Sequence, residues 1–225
     1  MILEKQRAAE AATEYIENGM IVGLGTGSTA EFAVRKIGKM ISQGLSIRGI
    51  PTSDFTKNLA EKEGIPLIDF SETMQIDLTI DGADEIDDNL NMIKGGGAAL
   101  LKEKIVAFSS KEEIIVVSSQ KLVKKLGKFP LPVEVIQFGW EVTFNYLERL
   151  GGNPDLRLHK GQPLLTDQGN FIIDCKFGQI SDVIKLEQNL NMIPGVVENG
   201  LFVNLCSRMI LAKGDKIIVK EMKKI

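Results

Sequence analysis

The stretch Gly23-Leu24-Gly25-Thr26-Gly27-Ser28-Thr29 decides the fold class of this chain of 225 residues. It ends a short β-prone run, residues 20–24, and the apolar residues that follow it within 32–41 recur at helical spacing. Ser28 is placed to cap that helix. A strand, a tight glycine turn and a helix N-terminus present backbone N–H groups and the positive end of the helix dipole to an anion. We therefore predict an α/β fold with an anion-binding turn formed by Thr26, Gly27, Ser28 and Thr29.

Two nucleotide-binding patterns fail at this turn. The dinucleotide fingerprint G-x-G-x-x-G requires a third glycine where Ser28 stands. A P-loop requires a terminal Gly-Lys-Ser/Thr, which this stretch lacks. An ordinary strand–turn–helix junction remains the alternative, although three glycines beside three hydroxyls exceed what a turn requires.

The chain on either side of the turn alternates predicted strands and helices, which indicates βαβ units and a parallel sheet. Near Lys128-Phe129-Pro130-Leu131-Pro132 the order changes to βαββαβ, which is typical of a ferredoxin-like unit. We predict a Rossmann-like parallel-sheet domain, residues 1–129 plus 205–225, with an inserted smaller α+β domain, residues 130–204. The predicted strands of the first domain are 20–24, 47–50, 66–70, 76–80 and 114–117, with two more within 207–219, and its helices are 8–16, 32–41, 53–63 and 98–108.

Composition excludes several classes of protein. With a net charge of −3, the chain lacks the basic surface of a general nucleic-acid binder. No apolar run approaches the roughly 20 residues that span a bilayer. The N-terminal residues show no signal-peptide pattern. Cys175 and Cys206 stand in apolar contexts and indicate buried, reduced thiols. The single histidine, His159, excludes a multi-histidine metal site. We expect a cytoplasmic protein with neither nucleic acid nor membrane as partner.

A second motif, Asp81-Gly82-Ala83-Asp84-Glu85-Ile86-Asp87-Asp88, places five carboxylates directly after an apolar strand. A calcium loop is excluded, because Thr79 replaces an acidic or amide ligand and Asp88 stands where the bidentate glutamate belongs. A solvated acidic turn remains the alternative. In α/β proteins the ligand crevices lie at the carboxyl ends of the parallel strands. Repulsion between close carboxylates raises the pKa of at least one of them, which suits acid–base catalysis.

A third motif, Lys94-Gly95-Gly96-Gly97-Ala98, places a lysine and three glycines before a helix. Glycines let the backbone approach a ligand, and a lysine neutralises a phosphate or a developing oxyanion; the alternative is a flexible turn with a surface lysine. In the helix the apolar stripe Ala98, Leu101, Ile105 and Phe108 is predicted to face the core. Glu103 lies on another face, and the pattern alone indicates a solvated charge that Ala99 and Val106 would at most half bury.

Together these stretches resemble the family of ribose-5-phosphate isomerases of type A over nearly the whole chain. The resemblance also includes Gly127-Lys128-Phe129-Pro130-Leu131-Pro132-Val133-Glu134-Val135 and Ile193-Pro194-Gly195-Val196-Val197-Glu198-Asn199-Gly200-Leu201-Phe202. It implies an enzyme that interconverts D-ribose 5-phosphate and D-ribulose 5-phosphate through an enediolate, in the non-oxidative pentose phosphate pathway. It also implies that the enzyme works without cofactor or metal. We expect a homo-oligomer, either a homodimer or a tetramer.

The resemblance assigns a role to each matching position. Glu103 would be the base that moves the proton between C1 and C2, Asp81 would assist ring opening with Asp84 alongside, and Lys94 would stabilise the enediolate. The residues expected to contact the substrate are Lys5, Thr26, Gly27, Ser28, Thr29, Asp81, Gly82, Ala83, Asp84, Lys94, Gly95, Gly96, Gly97 and Lys121, of which Ser28, Thr29, Lys121 and Lys5 would hold the phosphate.

The chain departs from the family pattern at two points. Ser118-Ser119-Gln120 stands where an acidic residue often precedes Lys121, which alters the charge expected around that lysine. Gln137 stands where family members often carry a proline, directly after Val135-Ile136. Two alternative functions stay open at this point, a sugar-phosphate sensor that has lost the chemistry and a related enzyme such as an amino-sugar phosphate deaminase or a CoA transferase.

Overall fold

A computed structural model describes residues 2–222 of the chain. In this range there are six helices, α1 (Ile2–Thr13), α2 (Ala30–Ser42), α3 (Asp54–Lys62), α4 (Leu100–Phe108), α5 (Trp140–Arg149) and α6 (Val183–Asn191). The strands are β1 (Ile21–Leu24), β2 (Arg48–Pro51), β3 (Ile76–Asp81), β4 (Glu85–Ile86), β5 (Met92–Ile93), β6 (Ser110–Ser118), β7 (Leu131–Val135), β8 (Pro154–Leu156), β9 (Leu158–His159), β10 (Gln162–Pro163), β11 (Phe171–Cys175), β12 (Val196–Asn199), β13 (Leu201–Phe202), β14 (Arg208–Lys213) and β15 (Lys216–Glu221). A 3-10 turn spans Ser119–Lys121.

The chain forms two compact units, and neither is continuous in sequence. The first unit contains the chain up to Ala83, residues 102–122, and the chain from Asn204 onward. The second contains residues 84–101 and 123–203. These limits differ from the predicted domains of 1–129 plus 205–225 and 130–204, because residues 84–101 and 123–129 belong to the second unit and Asn204 belongs to the first.

The first unit is built on a six-stranded sheet in the order β15-β14-β6-β3-β1-β2. Neighbouring strands from β14 to β2 run parallel, and β15 at the edge pairs antiparallel with β14. The central strands are apolar and buried on both faces, as parallel strands covered by helices require. This mixed α/β unit is the predicted Rossmann-like domain, and the two C-terminal strands, β14 and β15, join its sheet as predicted.

Three local predictions for this unit are wrong. Within the described residues, the predicted strand 66–70 is reduced to a bridge between Gly49 and Leu67, since Pro66 has no N–H to donate to a ladder. The N-cap of α2 is Thr29 rather than Ser28. Helix α1 begins at Ile2, six residues before the predicted start at residue 8. The capped helix α3 is as predicted, because Ser53 accepts a hydrogen bond from the Thr56 N–H at 3.1 Å.

The second unit carries a four-stranded antiparallel sheet in the order β12-β7-β11-β8. With α5 after β7 and α6 after β11, the chain order is the predicted βαββαβ of a ferredoxin-like unit. Its core includes Val133, Leu147, Ile173 and Leu190, all fully buried. A separate three-stranded sheet, β13-β5-β4, and the short hairpin of β9 and β10 complete the unit. The two-residue strands β4 and β5 are too short to give a periodic signal in the sequence.

Across residues 2–222, every helix is too short or too polar to pass through a bilayer.

Candidate active site

The glycine turn after β1 is fixed to the end of β3 by the carboxylate of Asp81. Asp81 is the last residue of β3 and is fully buried. Its Oδ1 accepts hydrogen bonds from the N–H groups of Thr26, at 3.1 Å, and Gly82, at 2.7 Å. A Cβ on Gly25 would lie 2.3 Å from Asp81 Oδ1 and 2.5 Å from Asp81 Cα, so this close approach requires glycine. The predicted turn and the predicted carboxylate therefore form one structure.

The hydroxyl of Thr26 belongs to a cluster that ties the turn to α3. Thr26 Oγ1 lies 2.7 Å from Ser53 Oγ, 2.8 Å from Thr52 Oγ1 and 3.0 Å from Thr56 Oγ1. Thr56 Oγ1 also donates to the Gly25 carbonyl at 3.0 Å. The side chain of Thr26 is thus engaged in holding the turn in place.

Ser28 and Lys5 meet in front of α2. Lys5, on α1, donates from Nζ to Ser28 Oγ at 2.7 Å, and both groups have contact with solvent. Gly27 and Ser28 are exposed, whereas Thr29 is half-buried at the first turn of the helix. A cation, a hydroxyl and a helix N-terminus at one place form a setting that attracts an anion.

Lys121 lies in the 3-10 turn that follows β6. Ser119 in the same turn donates to both carboxylate oxygens of Glu4 on α1, at 3.3 and 3.4 Å. The Gly214 N–H bonded to Glu4 Oε1 at 2.8 Å is the main cause that holds the pKa of Glu4 below its usual value. The structure therefore brings a carboxylate from α1 to a turn whose own sequence, Ser118-Ser119-Gln120, lacks one.

The position of Glu103 corrects the interpretation of α4. Only 5% of Glu103 is exposed, whereas Ile105 and Phe108 of the predicted core stripe are 47% and 81% exposed. The buried residues of the helix are instead Leu100, Glu103, Val106 and Ala107. In the sequence, Glu103 stands at the centre of an i, i+3, i+6/i+7 stripe whose other members are apolar. That is the signal by which Glu103 could have been singled out as a candidate site residue, because burying a charge is costly.

The second unit holds Lys94 and Asp84 around the 95–97 glycine turn. Lys94 is 2% exposed; its N–H donates to the Gly200 carbonyl at 2.9 Å, and its Nζ lies 5.4 Å from the centre of the Phe202 ring. Asp84 Oδ2 accepts the N–H of Gly96 at 2.7 Å. A Cβ on Gly96 would lie 2.7 Å from the Asp84 carboxylate. The turn thus wraps closely around Asp84.

Two of the five clustered carboxylates serve the local fold instead. Glu85 accepts the N–H groups of Gly127, at 2.7 Å, and Phe129, at 2.6 Å. Asp87 Oδ1 accepts the N–H groups of Asn89 and Asn91 at 2.8 and 2.9 Å. Of the other three, Asp88 is exposed, and Asp81 and Asp84 each lie beside one of the two glycine turns.

Sequence reasoning missed Arg157, which contacts the 95–97 turn through the carbonyls of Gly95 and Gly96. An isolated arginine between two short strands carries no pattern that would single it out. His159 is exposed on β9, and residues 2–222 contain no group of three or more His, Cys, Asp or Glu side chains arranged to hold a metal ion.

The predicted residues thus fall into two groups by unit. The first unit brings together Lys5, the 26–29 turn and Asp81, and it carries Glu103 and Lys121. The second unit brings together Asp84, Lys94 and the 95–97 turn. The acidic motif joins the groups covalently, since Ala83 is the last residue of one segment of the first unit and Asp84 begins the second unit.

The sequence of this chain is similar to those of known proteins. The family model of ribose 5-phosphate isomerase A (phosphoriboisomerase A) matches residues 48–216. The chain is 53% identical to ribose-5-phosphate isomerase A of Gloeobacter violaceus over 210 residues, which cover 92% of this chain and 91% of the relative. It is 47% identical to ribose-5-phosphate isomerase A 1 of Oceanobacillus iheyensis over 217 residues, covering 96% and 97%.

Solved structures give the same result. A D-ribose-5-phosphate isomerase in complex with phospho-erythronic acid superposes with a TM-score of 0.95 at 41% identity, covering 97% of this chain and 98% of that one. Ribose 5-phosphate isomerase A from Methanocaldococcus jannaschii superposes with a TM-score of 0.92 at 42% identity, covering 96% and 97%. The chain therefore belongs to the ribose 5-phosphate isomerase A family of aldose–ketose isomerases.

Proposed function

We propose that this enzyme interconverts D-ribose 5-phosphate and D-ribulose 5-phosphate through an enediolate, with Glu103 as the base. Family membership supports the substrate, and the observation that supports the base is a glutamate at the centre of the buried stripe of α4. The reaction belongs to the non-oxidative pentose phosphate pathway, in the cytoplasm.

The chemistry moves one proton between two carbons. The Glu103 carboxylate takes the proton from C2 of the open-chain aldose, and the C–H electrons form the C1–C2 double bond while the carbonyl oxygen at C1 becomes an oxyanion. The protonated Glu103 then returns the proton to C1. The proton lost by the C2 hydroxyl is transferred to the oxyanion at C1, so that C2 becomes the ketose carbonyl and C1 carries a hydroxyl. A positioned base of this kind contributes about 10²–10⁴-fold to the rate.

Lys94 and the two aspartates serve the oxygen atoms. The buried ammonium of Lys94 stabilises the developing oxyanion, since electrostatic interactions strengthen where water is excluded. Asp81, with Asp84 alongside, assists ring opening and proton transfer at the sugar hydroxyls. The backbone around them, Gly82, Ala83, Gly95, Gly96 and Gly97, approaches the sugar closely.

The phosphate binds where Lys5 already meets Ser28, with Thr29, Gly27, the Thr26 backbone and Lys121 completing the site. Two lysines, hydroxyl groups and the N-terminus of α2 supply positive charge and donors. The free energy of binding this remote phosphate orients the reacting carbons. We also propose that the enzyme is a homo-oligomer that uses neither metal nor cofactor.

Turnover of ribose 5-phosphate in D₂O tests the assignment. We expect deuterium at the transferred position of the ketose, activity unaffected by EDTA, and a loss of at least about 10²-fold in Glu103→Gln. Glu61→Gln, an exposed glutamate on α3, is the matched control and should retain full activity. Full activity of Glu103→Gln would refute the base, and abolition of activity by EDTA would refute the metal-free mechanism.

A further inference from the structure

Arg157 lies between β8 and β9, and its guanidinium is divided between two tasks. Nη1 donates to the carbonyl of Gly95 at 2.9 Å and to that of Gly96 at 3.2 Å. Nε donates to Asp174 Oδ2 at 2.8 Å, and Nη2 pairs with the other oxygen of that carboxylate. The two side chains are only 14% and 22% exposed. This is a half-buried, bidentate ion pair, and Nη1 of the same guanidinium reaches the glycine turn.

The 95–97 turn needs such support because its sequence supplies little order of its own. Three consecutive glycines have wide conformational freedom, and ordering each backbone residue costs about 1–2 kcal/mol. Gly95 has a φ of +96°, a conformation that other residues rarely adopt. The turn is held on its amide side by Asp84, which accepts the Gly96 N–H. Arg157 holds its carbonyl side.

We propose that Arg157 is a positioning residue for the isomerisation. By fixing the carbonyls of Gly95 and Gly96, it sets the path of the turn that follows Lys94 and that bonds to Asp84. This role rests on the proposed function, in which Lys94 stabilises the enediolate and Asp84 assists proton transfer. Asp174 in turn orients the guanidinium, since a carboxylate that accepts two parallel N–H bonds fixes the plane of an arginine.

The chemistry of arginine explains why this residue type is needed. The rigid fork of a guanidinium bonds a carboxylate with two donors and presents further donors in the same plane. A lysine keeps the charge and can pair with Asp174, but it has a single nitrogen and cannot reproduce this divided geometry. Arg157→Lys therefore removes the positioning contact while retaining the ion pair.

Kinetics of Arg157→Lys provide the first test. Misplacing a reacting group by about 1 Å costs on the order of 10²-fold in rate, so we expect kcat for ribose 5-phosphate to fall by roughly 10- to 100-fold. The inhibition constant of inorganic phosphate, whose proposed ligands lie in the first unit, should stay unchanged. Lys176→Met is the matched control, because Lys176 pairs with Asp155 across the neighbouring strands without contacting the turn. It should retain the wild-type kcat.

Hydrogen exchange of the free enzyme provides a test that does not depend on activity. In Arg157→Lys, the amides of residues 95–98 should exchange faster, while those of β11 keep their protection. Asp174→Asn, which retains hydrogen-bond acceptors but loses the charge, should shift both kcat and exchange in the same direction by less.

Three results would overturn the proposal. The first is an unchanged kcat in Arg157→Lys. The second is a kcat that falls with exchange at 95–98 unaltered, and the third is faster exchange throughout β11, which would make the role that of a general stabiliser of the sheet. Absence of wild-type turnover would instead overturn the proposed function and this role together, so the two failures are distinguishable.

Discussion

Gly25 and Asp81 depend on each other at the scale of single residues. The Asp81 carboxylate occupies the space that any side chain at position 25 would need, and the nearest atoms include the Asp81 backbone. Such a contact cannot be relieved by rotating a flexible side chain, so the turn and the carboxylate must shift apart.

Gly25→Ala is therefore expected to lower the free energy of unfolding by about 1–3 kcal/mol, the usual effect of overpacking. Gly82→Ala is the matched control, since a Cβ there would meet its nearest neighbour, the Val116 carbonyl, at 3.9 Å. Its stability should stay within about 0.5 kcal/mol of wild type. Urea unfolding measures both, and equal losses in the two variants would contradict the steric explanation.

Glu134 on β7 gives a prediction of pH dependence. It is fully buried, accepts hydrogen bonds from Thr166 Oγ1, at 2.8 Å, and Asn170 Nδ2, at 2.9 Å, and pairs in register with Glu198. Among residues 2–222, its Oε2 has no hydrogen-bond partner. Burial is the main cause that raises the pKa of Glu134 above its ordinary value of 4.5, with Glu198 and Asp167 adding to it.

The folded protein therefore keeps a proton on Glu134 at pH values where the unfolded chain has lost it. The stability that this proton contributes is complete below pH 4.5 and is lost as the pH rises through the folded pKa. Glu134→Gln should gain stability relative to wild type when urea unfolding is repeated at increasing pH, whereas the exposed Glu141→Gln should show no such trend. A difference that stays constant with pH would contradict the prediction.

At the scale of elements, α3 connects its own stability to the glycine turn. Its N-cap Ser53 accepts the Thr56 N–H and also lies 2.7 Å from Thr26 Oγ1. Ser53→Ala should lower the free energy of unfolding by about 1 kcal/mol, the typical value of a lost cap. Ser42→Ala, at the exposed end of α2, is the control and should change it by less than about 0.5 kcal/mol. Chemical denaturation of the pair decides the matter, and equal effects would argue against the cap.

Helix α4 also illustrates how much a sequence predicts and where it fails. The apolar residues gave the helix itself correctly, but two stripes were available, and the more hydrophobic one, with Ile105 and Phe108, is the exposed one. Periodicity ranks helix faces by hydrophobicity, so it does not predict a face that buries a glutamate. The 26–29 turn was predictable because it follows β1, a strand of the parallel sheet, whereas the 95–97 turn follows β5, which pairs antiparallel with its neighbours. Arg157 was not predictable, because its contacts join parts of the chain about 60 residues apart.

At the scale of the whole molecule, each unit contains one of the two cysteines. Cys206 lies in the first unit and Cys175 in the second, and both are fully buried. Burial raises the pKa of Cys175 to about 12. A thiol reagent should therefore leave both side chains unmodified in the native enzyme and modify both in denaturant.

Single-cysteine variants extend this prediction to each unit separately. Cys206→Ser leaves a thiol that reports opening of the second unit, and Cys175→Ser leaves one that reports opening of the first. Equal labelling rates in the two variants would indicate that the units unfold together, and different rates would rank their local stabilities. Rapid stoichiometric labelling of the native protein would contradict the burial of the thiols.

The discontinuous course of the chain restricts how this enzyme can be divided or rewired. The boundaries at 83/84, 101/102, 122/123 and 203/204 mean that each unit is assembled from separate segments. Two of these boundaries fall beside catalytic candidates, one between Ala83 and Asp84 and the other one residue before Glu103. Neither unit can be expressed as a fragment by simple truncation. A split reporter or a circular permutant should open the chain elsewhere, for example at the exposed Gly214-Asp215 turn between β14 and β15.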